Sequence, residues 1–257
     1  MVNKAKGGKQ MKQDGKWDGF RKLVLIDKIK ECDDITSFYF KAEDGGKLVK
    51  HEAGQFLPFK IVTEEEAYKD VMRTYSLSMI PNDDLYRISV KKVPGGLIST
   101  YLHERLEIGD YIEAMVPMGL FTLKEKNPET PITLISGGIG VTPLLSMLYE
   151  AANTKKALHF IQAVQNSQLH PFQNDIQMIA KDKGFKNTVF YSNPLDTDVK
   201  GKDYDELGFV TKEWLATEAD LASTFYICGP PVFMKITEEN LISLGVSKER
   251  IHYELFS

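Results

Sequence analysis

Between residues 20 and 123 the apolar positions fall in short runs rich in β-branched and aromatic side chains. These are Leu23-Val24-Leu25-Ile26, Thr36-Ser37-Phe38-Tyr39-Phe40 and residues 56–62, 74–79 and 86–93. Turn-forming stretches separate them at Asp44-Gly45-Gly46, Ala53-Gly54, Pro81-Asn82-Asp83-Asp84 and Pro94-Gly95-Gly96. Short strands at this spacing predict a small antiparallel barrel. One helix interrupts it at residues 97–105, where Leu97, Ile98, Tyr101 and Leu102 form an apolar stripe.

After Asn127-Pro128 the rhythm changes. Strand patterns at residues 132–135, 157–164, 188–191, 224–228 and 251–255 alternate with helical patterns at 143–152, 172–181 and 232–244. That alternation is the mark of a doubly wound parallel sheet with helices on both faces. The break belongs near residues 124–130, where charges cluster with Pro128. The expected division is an arm at 1–16, a barrel domain at 17–126 and an α/β domain at 127–257.

Composition narrows the picture. A chain of 257 residues with 42% hydrophobic side chains is long enough for two cores. A net charge of −4 argues against general nucleic-acid binding. No apolar run approaches the ~18–20 residues that span a bilayer, and the lysine-rich start is no secretory signal. The arm holds five lysines against one acid and reads as disordered. Two cysteines, Cys32 and Cys228, are too few for a disulfide framework or an iron–sulfur cluster. The five histidines are scattered, with no metal-ligand spacing. A cytoplasmic monomer with no metal is expected.

Two segments carry candidate chemistry. Gly137-Gly138-Ile139-Gly140-Val141-Thr142-Pro143 follows an apolar strand and leads into a helix. Glycines there let the backbone approach a pyrophosphate, Thr142 is placed to cap the helix, and Pro143 suits its first turn. The helix dipole then favours an anion. A tight strand–helix turn with no ligand gives the same pattern. Arg73-Thr74-Tyr75-Ser76 lies on a strand whose alternation puts Arg73 and Tyr75 on one face and Ser76 on the other. Arginine offers a fork for phosphate, tyrosine a platform for a flat ring, and serine a hydroxyl for a ring nitrogen. An ordinary half-buried strand with a paired arginine is the alternative. Gly95-Gly96-Leu97-Ile98-Ser99 adds a second glycine turn before a helix, and Cys228-Gly229-Pro230-Pro231 ends a strand where open α/β sheets bind ligands.

Six motifs in order make the chain resemble the ferredoxin–NADP reductase superfamily, most closely the reductase part of bacterial flavohaemoglobins. They are Gly54-Gln55-Phe56, Arg73-x-Tyr75-Ser76-Leu77-Ser78, the run from Val90 to Ser99, the run from Leu134 to Pro143, Tyr226-Ile227-Cys228-Gly229-Pro230, and Ile251-His252-Tyr253-Glu254. The resemblance covers about residues 20–257. It implies an antiparallel Greek-key barrel that binds FAD, followed by the parallel-sheet domain that binds NADH or NADPH.

Carried over position by position, Gln55 and Phe56 would flank the flavin. Arg73 would hold the FAD pyrophosphate beside Thr74, Tyr75 would stack on the flavin, and Ser76 would bond near its reactive nitrogen. Val90, Lys91, Lys92, Gly95, Gly96, Leu97, Ile98 and Ser99 would hold the ribityl chain and phosphates. Gly137, Gly138, Ile139, Gly140, Val141 and Thr142 would hold the nicotinamide dinucleotide, with Cys228, Gly229 and Pro230 beside the nicotinamide. Glu254 would sit near the flavin to help proton and electron exit, with Phe256 at the cofactor's edge. Ser76, Cys228 and Glu254 are thus the expected catalytic residues. Phe56 stands where the family commonly carries tyrosine, and the family's tail extends beyond the Phe256 position.

The resemblance further implies a flavin-dependent oxidoreductase passing electrons to a separate acceptor protein of haem, iron–sulfur or flavodoxin type. The alternatives are a cytochrome b5 reductase-like enzyme with a haem partner and a non-catalytic FAD-binding subunit. The loops expected near the dinucleotide ribose read Gln165-Asn166-Ser167-Gln168 and Ser192-Asn193-Pro194, with no base to take a 2′-phosphate. NADH is therefore expected over NADPH.

Overall fold

The computed structural model describes residues 15–125, 127, 129–154 and 157–255. The basic arm, apart from its last two residues, and Phe256 lie outside the described residues, as does Pro128 at the expected boundary.

The first half forms one antiparallel sheet of six strands, β1 (Arg21–Lys30), β2 (Ile35–Ala42), β3 (Phe56–Ile61), β4 (Met72–Ser76), β5 (Tyr86–Lys91) and β6 (Tyr111–Ala114), in the spatial order β4-β3-β6-β1-β2-β5. The order is that of a Greek-key barrel. The Leu77–Ile88 bridge, with Ser78 N–H donating to the Arg87 carbonyl at 2.9 Å, joins the two edge strands and closes it. Inward residues alternate with outward ones, so Phe38, Phe40, Leu57, Phe59, Tyr86, Ile88 and Val90 fill the interior. Helix α1 (Leu97–Glu104) plugs one end with Ile98 and Leu102. Trp17, just before β1, packs on this core and donates from Nε1 to the Ala114 carbonyl at 3.0 Å.

The second half is a six-stranded, wholly parallel sheet. Its strands are β7 (Ile132–Gly137), β8 (Leu158–Val164), β9 (Lys186–Tyr191), β10 (Glu206–Leu207), β11 (Thr224–Cys228) and β12 (Ile251–Glu254), in the order β10-β9-β8-β7-β11-β12. Helices α2 (Val141–Ala151), α3 (Gln173–Lys183), α4 (Lys212–Glu218) and α5 (Pro231–Ser243) connect them. Two apolar layers result: Leu134, Tyr226 and Cys228 pack with α2 on one face, and Ile135, Phe225 and Ile227 pack with α4 and α5 on the other. Strand order reverses between β7 and β11, which opens a crevice at their carboxyl ends. Among the described residues no helix is long and apolar enough to cross a membrane.

Three elements escaped the sequence pattern. Strand β6 is four residues with one charge, yet it lies between β3 and β1 in the middle of the sheet. Strand β10 is two residues long. Helix α4 buries only Leu215 and is announced by its cap, Thr211, whose side chain accepts from Trp214 N–H. Helix α2 also begins earlier than its sequence suggests. A 3₁₀ turn at Gly138–Gly140 leads straight into Val141, so the cap position is Gly140. Thr142 is already inside the first turn, and its hydroxyl donates back to the Ile139 carbonyl at 3.0 Å. It does not cap the helix.

Candidate active site

Two cavities, each of about 550 Å³, adjoin at the seam between barrel and parallel sheet. Ile139 of the glycine turn and Lys91 at the end of β5 line both.

The first cavity lies against the outer face of β4 and the start of α1. Arg73, Thr74, Tyr75 and Ser76 line it from β4, with Gly96, Leu97, Ile98 and Ser99 at its far end. Alternation placed Ser76 opposite Arg73 and Tyr75, but β4 ends at Ser76 and the cavity reaches all three. The Tyr75 ring stacks on Phe59 at 5.7 Å and is thereby held flat at the cavity wall. Arg73 bonds only its neighbour's carbonyl, Met72 O, at 2.8 Å, and among the described residues no carboxylate pairs with it. Its charge is thus available to an anion. Helix α1 starts at Gly96 without a side-chain cap, so its first N–H groups also face the cavity unbonded by a cap.

The opposite wall comes from the other sheet: Ile139, Thr142, Glu254 and Leu255. Burial pushes the Glu254 carboxyl up to about 7, so near neutrality it is poised between holding and releasing a proton. Ser76 Oγ is buried and has no hydrogen-bond partner. An orphaned hydroxyl, a free guanidinium and an uncapped helix start around one aromatic-walled cavity fit a flavin with its pyrophosphate.

The second cavity occupies the crevice at the strand-order reversal. Gly137, Gly138, Pro230 and Phe233 line it near the glycine turn, Gln165 and Ser192 at the ends of β8 and β9, and Phe209 across from them. The barrel contributes Asp34, Ile35 and Lys91, with Asp34 and Lys91 in an ion pair at 3.0 Å. The glycines do different jobs. A Cβ on Gly140 would lie 2.1 Å from the Cys228 carbonyl oxygen, so this glycine serves internal packing between the two crevice loops. Gly138, at φ +52° and with nothing within 4 Å of a Cβ position, is the one that leaves backbone open to a ligand.

Several expected residues stand back from both cavities. Gln55 accepts from Glu52 N–H with its side chain, Val90 lies in the barrel core, and Lys92 pairs with Glu104 at 2.7 Å. Gly95, Gly140, Val141 and Gly229 shape the turns without lining either space. Cys228, expected beside the nicotinamide, is fully buried and lines neither cavity. As the last residue of β11 it points into the layer packed on α2. Ser89 and Leu255 line the first cavity, and Phe209 and Phe233 the second, without having been singled out by any motif.

Residues 22–123 match the oxidoreductase FAD-binding domain family, and residues 134–239 match the oxidoreductase NAD-binding domain family. A flavohemoprotein of Bacillus thuringiensis is 40% identical over 253 residues, covering 95% of this chain and 62% of that protein. The chain therefore spans about three fifths of the length of such relatives. The crystal structure of the flavohem-like FAD/NAD-binding domain of nitric oxide dioxygenase from Vibrio cholerae superposes with a TM-score of 0.80 at 30% identity, covering 95% of this chain and 99% of that one. The cytochrome b5 reductase domain of Ulva prolifera nitrate reductase shares the fold, with a TM-score of 0.76 at 22% identity over 92% of this chain and 97% of that one.

Proposed function

From the premise that this chain belongs to the family of FAD- and NAD-binding oxidoreductases that includes the flavohaemoglobin reductase domain, we propose that it draws electrons from NADH and delivers them to a separate acceptor protein. The observation that carries the reading is the shared wall: one loop residue, Ile139, and one strand residue, Lys91, border both cavities. The two spaces therefore adjoin, with these two residues on their common border. A bound flavin accepts hydride as an electron pair and can give up its electrons singly.

The protein's part is placement. Arg73 and the start of α1 would hold the flavin's pyrophosphate, and Tyr75 would offer the flat surface for its ring. Ser76 gives its otherwise orphaned hydroxyl to the ring's polar edge. Gly138 and the turn into α2 take the dinucleotide phosphates. Glu254, near neutrality in pKa, receives or returns the proton that accompanies electron exit. Gln165 and Ser192, which line the second cavity at the ends of β8 and β9, offer amide and hydroxyl rather than charge to a ribose bound there.

The test is an anaerobic titration of the FAD-loaded protein with NADH, followed by addition of a one-electron acceptor such as ferricyanide. Bleaching of the flavin by one equivalent of NADH, and return of its colour with two equivalents of ferricyanide, is the expected course. A flavin that binds but is not bleached would turn the reading to a non-catalytic subunit.

A further inference from the structure

Arg87 is a buried cation with one carboxylate, Glu31, in electrostatic reach but none in ion-pair contact among the described residues. It is the second residue of β5 and is 6% exposed. Its guanidinium is instead satisfied by neutral groups from the barrel. Nε donates to Ser78 Oγ at 3.1 Å, Nη1 to the Tyr39 hydroxyl at 3.3 Å, and Nη2 to the Ser78 carbonyl. A buried charge is expensive and persists only where hydrogen bonds and aromatic faces replace water.

Two of those replacements come from the other domain. The guanidinium lies 5.1 Å from the ring centre of Phe172, and the Tyr149 hydroxyl lies within its electrostatic reach. Phe172 precedes α3 with φ +59°, a left-handed conformation that is strained for a bulky side chain. In that conformation the ring, 4% exposed, lies against Arg87. Tyr149 lies on α2, the helix that begins at the glycine turn.

The geometry makes this contact a lever. Arg87, Ser89 and Lys91 share one face of β5; Ser89 lines the flavin cavity and Lys91 lines both. On α2, Tyr149 meets Arg87 near one end and Thr142 lines the flavin cavity near the other, about 10 Å away along the axis. A second seam contact, Ser146 Oγ donating to the Met79 carbonyl at 2.7 Å, lies between them. Two rigid elements thus run from the pin to the reacting site.

We propose that Arg87 is a positioning residue that fixes the nicotinamide domain against the barrel, so that the glycine turn keeps the nicotinamide against the flavin. The proposal rests on the reading of the two cavities given above.

The test uses Arg87→Gln, which removes the charge, and Arg87→Lys, which keeps charge but not the fork. FAD affinity is expected to stay within about twofold, because Arg87 does not line the flavin cavity. Flavin reduction at saturating NADH should slow on the order of a hundredfold in Arg87→Gln, with Arg87→Lys intermediate. Oxidation of the reduced protein by ferricyanide should be unchanged. Solution X-ray scattering of the FAD-loaded protein without nucleotide should show a wider distribution of domain separations. Phe172→Leu, which keeps an apolar side chain but removes the ring, should show the same pattern at about a tenth of the kinetic effect and serves if Arg87→Gln fails to fold. Wild-type reduction rates and scattering in all the folded variants would overturn the proposal. A wild-type flavin that NADH does not bleach would overturn the reading of the cavities, while the scattering arm would still decide the role of Arg87.

Discussion

The sulfur of Cys228 lies 3.8 Å from the backbone carbonyl oxygen of Glu254. The two residues are register partners across the parallel pair β11–β12, yet their side chains serve different spaces. The thiol turns into the core, and the carboxyl turns into the flavin cavity.

That divergence predicts an inert thiol. Burial pushes the Cys228 pKa well above the ordinary thiol range and leaves no surface to attack. Cys32 is half-buried and pushed up to about 11. A thiol reagent at pH 8 should therefore label the native protein slowly at Cys32 and not at Cys228, and both sites rapidly in denaturant. Timed alkylation with mass spectrometry checks this; fast native labelling of Cys228 would mean that β11 opens at the crevice.

Glu254 predicts a pH effect of definite sign. Its carboxyl titrates at about 7 in the fold against an ordinary value of 4.5. Between these pH values the folded chain holds a proton that the unfolded chain has released, so stability falls as pH rises through the window. Glu254→Gln should melt like the wild type near pH 4.5 and higher than it at pH 8. The same variant should retain FAD but lose the pH dependence of flavin oxidation by ferricyanide around neutrality. Melting curves and stopped-flow traces at several pH values measure both.

Arg73 should be a principal anchor of FAD. A charge-assisted hydrogen bond contributes about 1.5–3 kcal/mol. Arg73→Ala should accordingly weaken FAD about tenfold or more, with little change in the melting of the apoprotein, since Arg73 bonds only Met72 O. Fluorescence titration with FAD gives the affinity, and unaltered retention through gel filtration would remove Arg73 from the site.

NADH should be preferred. The dinucleotide cavity offers Gln165 and Ser192 at its β8 and β9 end, and a 2′-phosphate dianion left without a cation there is poorly solvated. Ser192→Arg should raise kcat/KM for NADPH while lowering it for NADH. Steady-state rates with the two nucleotides decide, and a wild-type preference for NADPH would refute the assignment of that end of the cavity.

Much of this site is legible because its parts are contiguous. The glycine turn follows a fully buried strand rich in Ile and Leu, and Arg73 to Ser76 occupy one short strand, so local pattern was enough. Ser89 was hidden for the opposite reason. On β5 it alternates with Ile88 and Val90, which fill the barrel, and only the docking of the second sheet turns its outer face into a cavity wall. Phe209, after β10, and Phe233, on α5, line the second cavity from separate segments of the chain, a convergence no periodicity encodes. Cys228 shows a finer limit. Its position at a strand end was readable, but the phase of the pleat decides whether the side chain enters the crevice or the core. Strand β6 was missed because Tyr111 and Glu113 look outward and leave only Ile112 and Ala114 to announce it.

The last strand, β12, belongs to the nicotinamide sheet, but its end supplies Glu254, and the next residue Leu255, to the flavin cavity. During synthesis the barrel leaves the ribosome well before that strand does. Until the parallel sheet has assembled and β12 has joined β11, the nascent barrel offers an open groove and not an enclosed pocket. The wall of this cavity is therefore complete only when the whole chain is, and a product released short of β12 would keep the barrel's share of the lining but lack Glu254 and Leu255.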